Sequence, residues 1–316
     1  MAKVLILGAG GFIGHHLAHR LKAEGCYVVG ADIRPPQFSP SPADEFHIGD
    51  LRDPAFCLSI FGSYDRLYQL AADMGGAGYI FSGDNDASIM TNSAQINLNV
   101  LALARETKPG VLFFSSSACI YPDPMEYHPG IYAESTAYPA QPDSEYGWEK
   151  LFSERLYLAH ARNFGLNVRI ARLHNIFGPQ GTWDGGKEKA IAAISRKVIA
   201  AADGGTVQIW GDGTQTRSFL YIDECLEGIE RLVSSSFMQP LNLGSDEMVS
   251  IRALTEMIIS ISGRKLSIQH VEGPTGVDVR TSNNSLINNA LNWRPTSPLR
   301  RGVEATYSWI ESQMKS

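Results

Sequence analysis

Cysteine is scarce in this chain: four residues (Cys26, Cys57, Cys119, Cys225) among 316. They form no CxxC pair and no Cys/His cluster of ligand-like spacing, which excludes a disulfide framework and leaves no metal site to expect. Long apolar runs are missing as well. The opening MAKVLILGAGG begins like a short signal core but is interrupted at Gly8, and no other run approaches the ~18 residues needed to span a bilayer. A surplus of positive charge is also absent. Lysine and arginine number 27 against 33 acidic residues, a net charge of −6, so the chain has no footprint for nucleic acid or an anionic membrane. A locally basic pocket for a small anionic ligand is still compatible with that balance. With 44% hydrophobic and 19% charged residues, extended disorder is excluded. The expectation is a cytoplasmic-type protein from a reducing compartment, with neither nucleic acid nor membrane as partner.

Short apolar runs alternate with helically spaced segments through the first half. Strands are expected over residues 3–7, 27–31, 46–48, 66–70, 111–114 and 167–171, and helices over 12–24, 88–107 and 146–164. That rhythm predicts βαβ units: an α/β fold with a doubly wound parallel sheet covered on both faces. In such sheets ligands sit at the carboxyl ends of the strands. Beyond residue 175 the rhythm changes, with Gly, Pro and Trp clustered over 178–186. Helices are expected there over 188–201, 223–234 and 251–262, and a strand over 207–210. The expected division is a nucleotide-binding domain of residues 1–175 with 216–245, and a smaller α/β substrate-binding domain of residues 176–215 with 246–316.

Gly8-Ala9-Gly10-Gly11-Phe12-Ile13-Gly14 follows the first strand and opens the first helix. Ile13 occupies the last position of GxGxxG, so the pattern that fits is GxxGxxG on Gly8, Gly11 and Gly14. The glycines permit a tight turn and close backbone approach to a pyrophosphate seated on the helix N-terminus, the device of a Rossmann-type fold. Asp32 ends the second strand, where a carboxylate accepts from the adenosine ribose hydroxyls and repels a 2′-phosphate. NAD is therefore the expected cofactor, although Arg34 nearby is of the type that accommodates NADP. Phe12 and Ile13 belong to the same turn, Asp50 and Leu51 are placed beside the adenine, and the small Ala71 lets the backbone pass close to the cofactor. Asp50 is equally readable as a turn residue.

Tyr146 and Lys150 stand at i and i+4 of the helix over 146–164 and share a face. A free tyrosine, with a pKa of about 10, is a poor base at neutral pH. A lysine ammonium one turn away, with a cationic cofactor ring, favours the phenolate. Tyr146 is thus a candidate base for a sugar hydroxyl, and Ser117, ending the Ser115-Ser116-Ser117 run, a candidate to orient the same oxygen. Together with the glycine turn, these residues resemble the extended short-chain dehydrogenase/reductase family. The resemblance covers essentially the whole chain, including HNIFGP (with Asn175, Gly178 and Pro179) and RSFLYIDE.

Within that family several stretches are similar to the GDP-mannose 3,5-epimerases: AADMGG at 71–76, SSACIYP at 116–122, TWDGGKEKA at 182–190, WGDG at 210–213, QTRS at 215–218, and Asn242 with GSDEMVS at 244–250. The resemblance implies NAD-dependent conversion of GDP-D-mannose to GDP-L-galactose, with GDP-L-gulose as the C5-only product, in a homodimer held by the helices over 88–107 and 146–164. It implies Cys119 and Lys189 as the acid/base pair at C3 and C5. The logic of such a pair is independent of any name: a ketone at C4 acidifies both flanking carbons, and inverting each needs a base on one face and an acid on the other. A nearby cation would favour the Cys119 thiolate. Taken alone, a cysteine is ordinarily a small buried hydrophobe and Lys189 an ordinary solvated helix residue. Gly75, Ser117, Asn175, Lys189, Lys197, Gln215, Arg217 and Arg280 are the expected nucleotide-sugar contacts. Lys197, Arg217 and Arg280 read equally well as surface cations, and Asp278 lies beside Arg280. Glu188 and Asp184 receive no role. A 4,6-dehydratase would place a carboxylate pair where Ala118-Cys119 stands, and a simple 4-epimerase leaves Cys119 and Lys189 unexplained. A heptose-nucleotide epimerase acting at the same carbons is compatible with these residues. A non-catalytic NAD-binding protein would be expected to lack Tyr146, Lys150 or the serines, and all are present.

Overall fold

The computed structural model describes residues 1–122, 130–273 and 278–315. Its centre is a seven-stranded parallel sheet built from β1 (Lys3–Leu7), β2 (Tyr27–Asp32), β3 (Glu45–Ile48), β4 (Arg66–Gln69), β5 (Val111–Ser117), Val168–Leu173 and Leu241–Leu243. Across the sheet they run Leu241–Leu243, Val168–Leu173, β5, β4, β1, β2, β3. Between the first six strands along the chain lie α1 (Phe12–Ala23), α2 (Pro54–Ile60), α3 (Ala77–Ile80), α4 (Asp86–Thr107) and α5 (Glu145–Phe164). The inner strands are largely apolar because both faces are covered. The pleat sorts them: Val4, Ile6, Tyr68 and Phe113 pack on one side with Leu17 and Leu21 of α1. Leu5, Leu7, Leu67, Leu112 and Phe114 pack on the other, against Val100 and Leu101 of α4 and Tyr157 of α5.

The expected strand–helix alternation is present, with shifted boundaries. β5 runs on through the three serines, so Ser115–Ser117 belong to the strand rather than the loop after it. The helix expected over 188–201 is α6 (Ala190–Ala200), and Lys189 precedes it in extended conformation. The reason is the turn before it, where Gly185 and Gly186 both take positive φ (+89° and +83°) and delay the helix. Asp53 caps the unanticipated α2 by accepting from Ala55 N, and a long helix, Leu299–Lys315, likewise not assigned from the sequence, buries Leu299, Val303, Tyr307 and Ile310 at helical spacing.

A smaller four-stranded sheet runs in the order Met248–Ser250, Thr216–Ser218, Val279–Ser282, Ile131–Tyr132. Thr216–Ser218, assigned from sequence to the nucleotide-binding part, therefore joins the other sheet: it pairs antiparallel with Met248–Ser250 and parallel with Val279–Ser282. Backbone pairing with strands distant in sequence decides this, and local pattern carries no trace of it.

The central sheet is tied to α5 by a buried ion pair. Arg172 Nε and Nη2 donate to the two Glu154 oxygens at 2.9 and 2.8 Å, Ser116 Oγ donates to Glu154 Oε1 at 2.5 Å, and Arg172 Nη1 donates to Tyr121 Oη at 3.0 Å. Removing one member strands an unpaired buried charge, which costs far more than losing both. Arg172→Leu is accordingly expected to lower stability by about 3–5 kcal/mol, read as a fall in the denaturant midpoint; a midpoint unchanged from the parent chain would contradict this role.

Candidate active site

At the turn from β1 to α1, Gly8 has φ +87° and a Cβ there would lie 2.8 Å from Ala71 N. A Cβ on Gly14 would lie 2.1 Å from the Gly8 carbonyl oxygen. The turn, the first turn of α1 and the start of the Ala71 segment are thus packed backbone to backbone, which only glycine allows. Phe12 and Ile13 are half-buried in that first helical turn. Asp32 closes the turn: Oδ2 accepts Gly10 N at 3.0 Å and Oδ1 accepts Arg34 N at 3.3 Å. Burial raises the Asp32 carboxyl while these backbone N–H groups pull it back. Arg34 is exposed. This cradle, open only to a side-chain-free backbone and backed by a carboxylate, fits a dinucleotide. Asp50 is gripped by Arg52, whose Nη2 lies 2.6 Å away; the carboxylate expected beside an adenine is engaged in this ion pair. Leu51 is buried, with its carbonyl accepting from Asn99 Nδ2 at 2.9 Å. Ala71 N donates to Gln69 Oε1 at 3.2 Å.

Tyr146 and Lys150 occupy the first turns of α5, which Ser144 caps by accepting from Gly147 N. Both are buried. The expected lowering of the Tyr146 phenol is not found. Burial raises it, the Cys119 and Glu149 charges add to that, and a hydrogen bond with Ser117 opposes. Lys150 does not relieve the phenol because its ammonium is spoken for: Nζ donates to Ser115 O at 3.4 Å, lies 3.9 Å from Glu149 Oε2 and sits 5.6 Å from the Tyr146 ring centre. Burial lowers the Lys150 ammonium, with Glu149 and Glu154 opposing. Glu149, unremarked in the sequence, is in turn held by Asn97 Nδ2 at 3.0 Å and Ser153 Oγ at 2.6 Å.

Cys119 lies on the short 3-10 turn Ala118–Ile120 directly after β5, where Ser117 Oγ accepts its backbone N–H at 3.2 Å. A Cβ on Gly147 would fall 2.0 Å from the Cys119 carbonyl oxygen, so the start of α5 rests on this turn. Arg280 Nη1 is 3.7 Å from Cys119 Sγ. The thiol is nevertheless pushed up to about 11. The neighbouring cations Arg280 and Lys189 favour the thiolate, as does Ser117, but burial dominates and Asp143 adds to it, so together they are outweighed. Lys189 keeps solvent-exposed surface, yet the protein packed around its ammonium lowers it, while the Cys119 and Cys225 charges oppose. A Cβ on Gly76 would lie 2.6 Å from Glu188 O, and one on Gly75 would lie 2.7 Å from Tyr79 Cβ. Lys187 Nζ sits 3.8 Å over the Tyr79 ring. The Gly75-Gly76 motif therefore abuts the loop that carries Lys189. Glu188, given no role from sequence, ties that loop to α6 by accepting Gly186 N at 2.7 Å and Arg196 Nη2 at 2.9 Å. Asp184 lies 3.6 Å from the same Arg196.

The remaining candidates fall into two groups. Lys197 Nζ donates to Gln208 O at 2.9 Å and lies 5.6 Å from the Trp210 ring centre; Gln215 Nε2 donates to Trp210 O at 3.2 Å. Trp210, the first residue of the WGDG motif, joins them. Arg217 and Arg280 face each other in register on adjacent strands. Burial and the Arg280 charge push Arg217 down to about 10, and its Nη1 donates to Asp278 O at 3.2 Å. Asn175 takes φ +45° and donates from Nδ2 to Ser218 O at 2.9 Å, an arrangement that occupies its amide in joining two strands.

A glycine cradle at the head of a parallel sheet, with a Tyr–Lys helix and a serine-ended strand beside it, defines a nucleotide-dependent enzyme of the doubly wound type. The chain belongs to the NAD dependent epimerase/dehydratase family, whose model matches residues 4–244. It is 46% identical to a GDP-mannose 3,5-epimerase 1 from Oryza sativa subsp. indica, over 99% of this chain and 82% of that protein. It is also 46% identical to the GDP-mannose 3,5-epimerase of Arabidopsis thaliana, over 99% of this chain and 83% of that one. Among solved structures it is similar to a UDP-glucuronic acid 4-epimerase from Bacillus cereus in complex with UDP-glucuronic acid and NAD (TM-score 0.83, 26% identity, 98% of this chain and 99% of that chain). NAD is the cofactor of the family.

Because the contact between Gly14 and Gly8 O is backbone on both sides, Gly14→Ala must displace the turn itself. Loss of retained NAD is expected, together with an overpacking cost of about 1–3 kcal/mol. Cofactor released on denaturation, quantified against the parent protein, checks this; full retention would contradict it.

Proposed function

We propose that the chain is a NAD-dependent GDP-mannose 3,5-epimerase, taking GDP-D-mannose to GDP-L-galactose with GDP-L-gulose as the C5-only product. The observation that carries the reading is the convergence of Cys119, the Arg280 guanidinium and the Lys189 loop beside Tyr146 and Ser117. Bound NAD supplies a hydride acceptor and donor for C4 of the sugar. Gly8, Gly11, Phe12, Ile13, Gly14, Asp32, Leu51 and Ala71 would hold it, with Asp50 recruited only by releasing Arg52. Tyr146, as the phenolate that the cationic ring of a bound cofactor would favour against burial, takes the proton of the C4 hydroxyl, which Ser117 orients, and Lys150 stands beneath on the same helix face. The C4 ketone then acidifies C3 and C5. Cys119 removes a proton from one face and Lys189 delivers one to the other. The thiol of the ligand-free chain is protonated at neutral pH, so Arg280 and Lys189 are the groups that favour the thiolate this step requires. Arg217, Arg280 and Lys197 offset the charge of the diphosphate, and Gly75, Asn175 and Gln215 complete the substrate contacts.

The same reading includes a nucleotide-binding and a substrate-binding domain meeting at this site. It also includes a cytoplasmic location, which the four free cysteines favour, and a homodimer through α4 and α5. Leu98, Trp148 and Phe152 are exposed on those two helices, apolar surface that a partner would cover. Phe152→Glu should then sediment as a monomer; a monomeric parent chain would refute the dimer.

The decisive test is incubation with GDP-mannose in deuterated water, with products identified by NMR. Tyr146→Phe should lose about 10²–10⁴-fold in turnover. Cys119→Ala and Lys189→Ala should abolish deuterium incorporation at C3 and C5, while both still reduce the bound cofactor transiently. Wild-type incorporation at C5 in Cys119→Ala would remove the acid/base pair from the mechanism.

A further inference from the structure

One buried carboxylate beside the thiol has no part in the chemistry above. Asp143 lies in the turn before α5 with its side chain wholly shielded, and its Oδ2 is 2.5 Å from Arg280 Nη2. Its Oδ1 accepts from Ser144 Oγ at 2.7 Å, the residue that caps α5. The other terminal nitrogen of the same guanidinium, Nη1, is the one 3.7 Å from Cys119 Sγ. Arg280 arrives on the strand Val279–Ser282, far in sequence from both partners. A guanidinium is a rigid planar fork, so anchoring one prong on a buried carboxylate determines where the other prong points.

We propose that Asp143 is a positioning residue: by clamping Arg280 through Nη2 it fixes Nη1 against the Cys119 sulfur, and thereby controls the reactivity of the thiol that works on the carbon acids. The catalytic consequence rests on the epimerase reading, whereas the effect on the thiol does not. Asp143 acts on Cys119 in two opposing ways. Its own negative charge disfavours the thiolate, and the cation it holds in place favours it. The other groups facing the sulfur are Lys189 ahead of α6, Tyr146 on α5 and Ser117 at the end of β5. Asn in place of Asp143 separates the two effects, since an amide oxygen still accepts from Arg280 but carries no charge.

The test follows alkylation of Cys119 by iodoacetamide against pH in the protein as purified, without added nucleotide sugar, with peptides resolved by mass spectrometry and the buried Cys26, Cys57 and Cys225 as internal controls. Asp143→Asn should move the Cys119 profile to lower pH by roughly one unit, making alkylation at a fixed pH below the midpoint about tenfold faster. Arg280→Lys keeps a cation opposite Asp143 but cannot reach carboxylate and sulfur together, so it should move the profile to higher pH; it also serves if Asp143→Asn does not fold. A folded Asp143→Asn or Arg280→Lys whose profile overlays the wild type overturns the proposal. A shifted profile accompanied by the same shift in the pH dependence of deuterium incorporation supports it through catalysis. A shifted thiol in a protein that does not act on GDP-mannose at all supports the positioning and sinks the epimerase reading instead.

Discussion

The end of β5 and the first turn of α5 press together so closely that position 147 has no room for a side chain beside the Cys119 carbonyl. Most of the site depends on that contact. It sets Tyr146, one residue before Gly147, next to Ser117, and it holds the Cys119 turn against the residues that precede the helix. The Ser116 hydroxyl on Glu154 locks the same two elements one layer deeper, and Arg172 ties the neighbouring strand Val168–Leu173 to the same carboxylate. A site assembled where a strand ends and a helix begins gains its rigidity from the sheet while leaving its reactive atoms at the strand's carboxyl end.

Charge within this small volume is arranged in opposition. Cys119 has Arg280 and Lys189 on one side of the balance and burial with Asp143 on the other. Lys150 is shared among Ser115 O, Glu149 and an aromatic face. No single charge dictates a protonation state, so modest changes in solvation or in the charge of a bound cofactor shift several groups at once. Such coupled, buried groups are characteristic of sites where proton transfer is the task.

The loop carrying Lys189 shows how the second half of the molecule is brought to the first. Paired glycines with positive φ delay α6, Glu188 ties the loop to Arg196, and Gly76 at the start of α3 lets the Glu188 carbonyl approach. Glycines that look like simple turn markers in the sequence serve here as contact surfaces between segments more than a hundred residues apart.

The strand–helix rhythm, the glycine turn, Asp32 at the end of β2, and the Tyr146–Lys150 spacing were legible in the amino-acid order. Each depends on local periodicity or on backbone conformations that only certain residues allow. The companions of Cys119 were not legible, because Arg280, Asp143 and the Lys189 loop reach it from separate elements and nothing local records which strands pair. For the same reason the pairing of Thr216–Ser218 with Met248–Ser250 and Val279–Ser282 was not foreseen, and Glu149 and Asp143 went unremarked. The direction in which the Cys119 thiol and the Tyr146 phenol are shifted was also beyond local pattern. A neighbouring cation can be read from spacing, whereas burial, which outweighs it here, exists only once the whole chain has closed around the site.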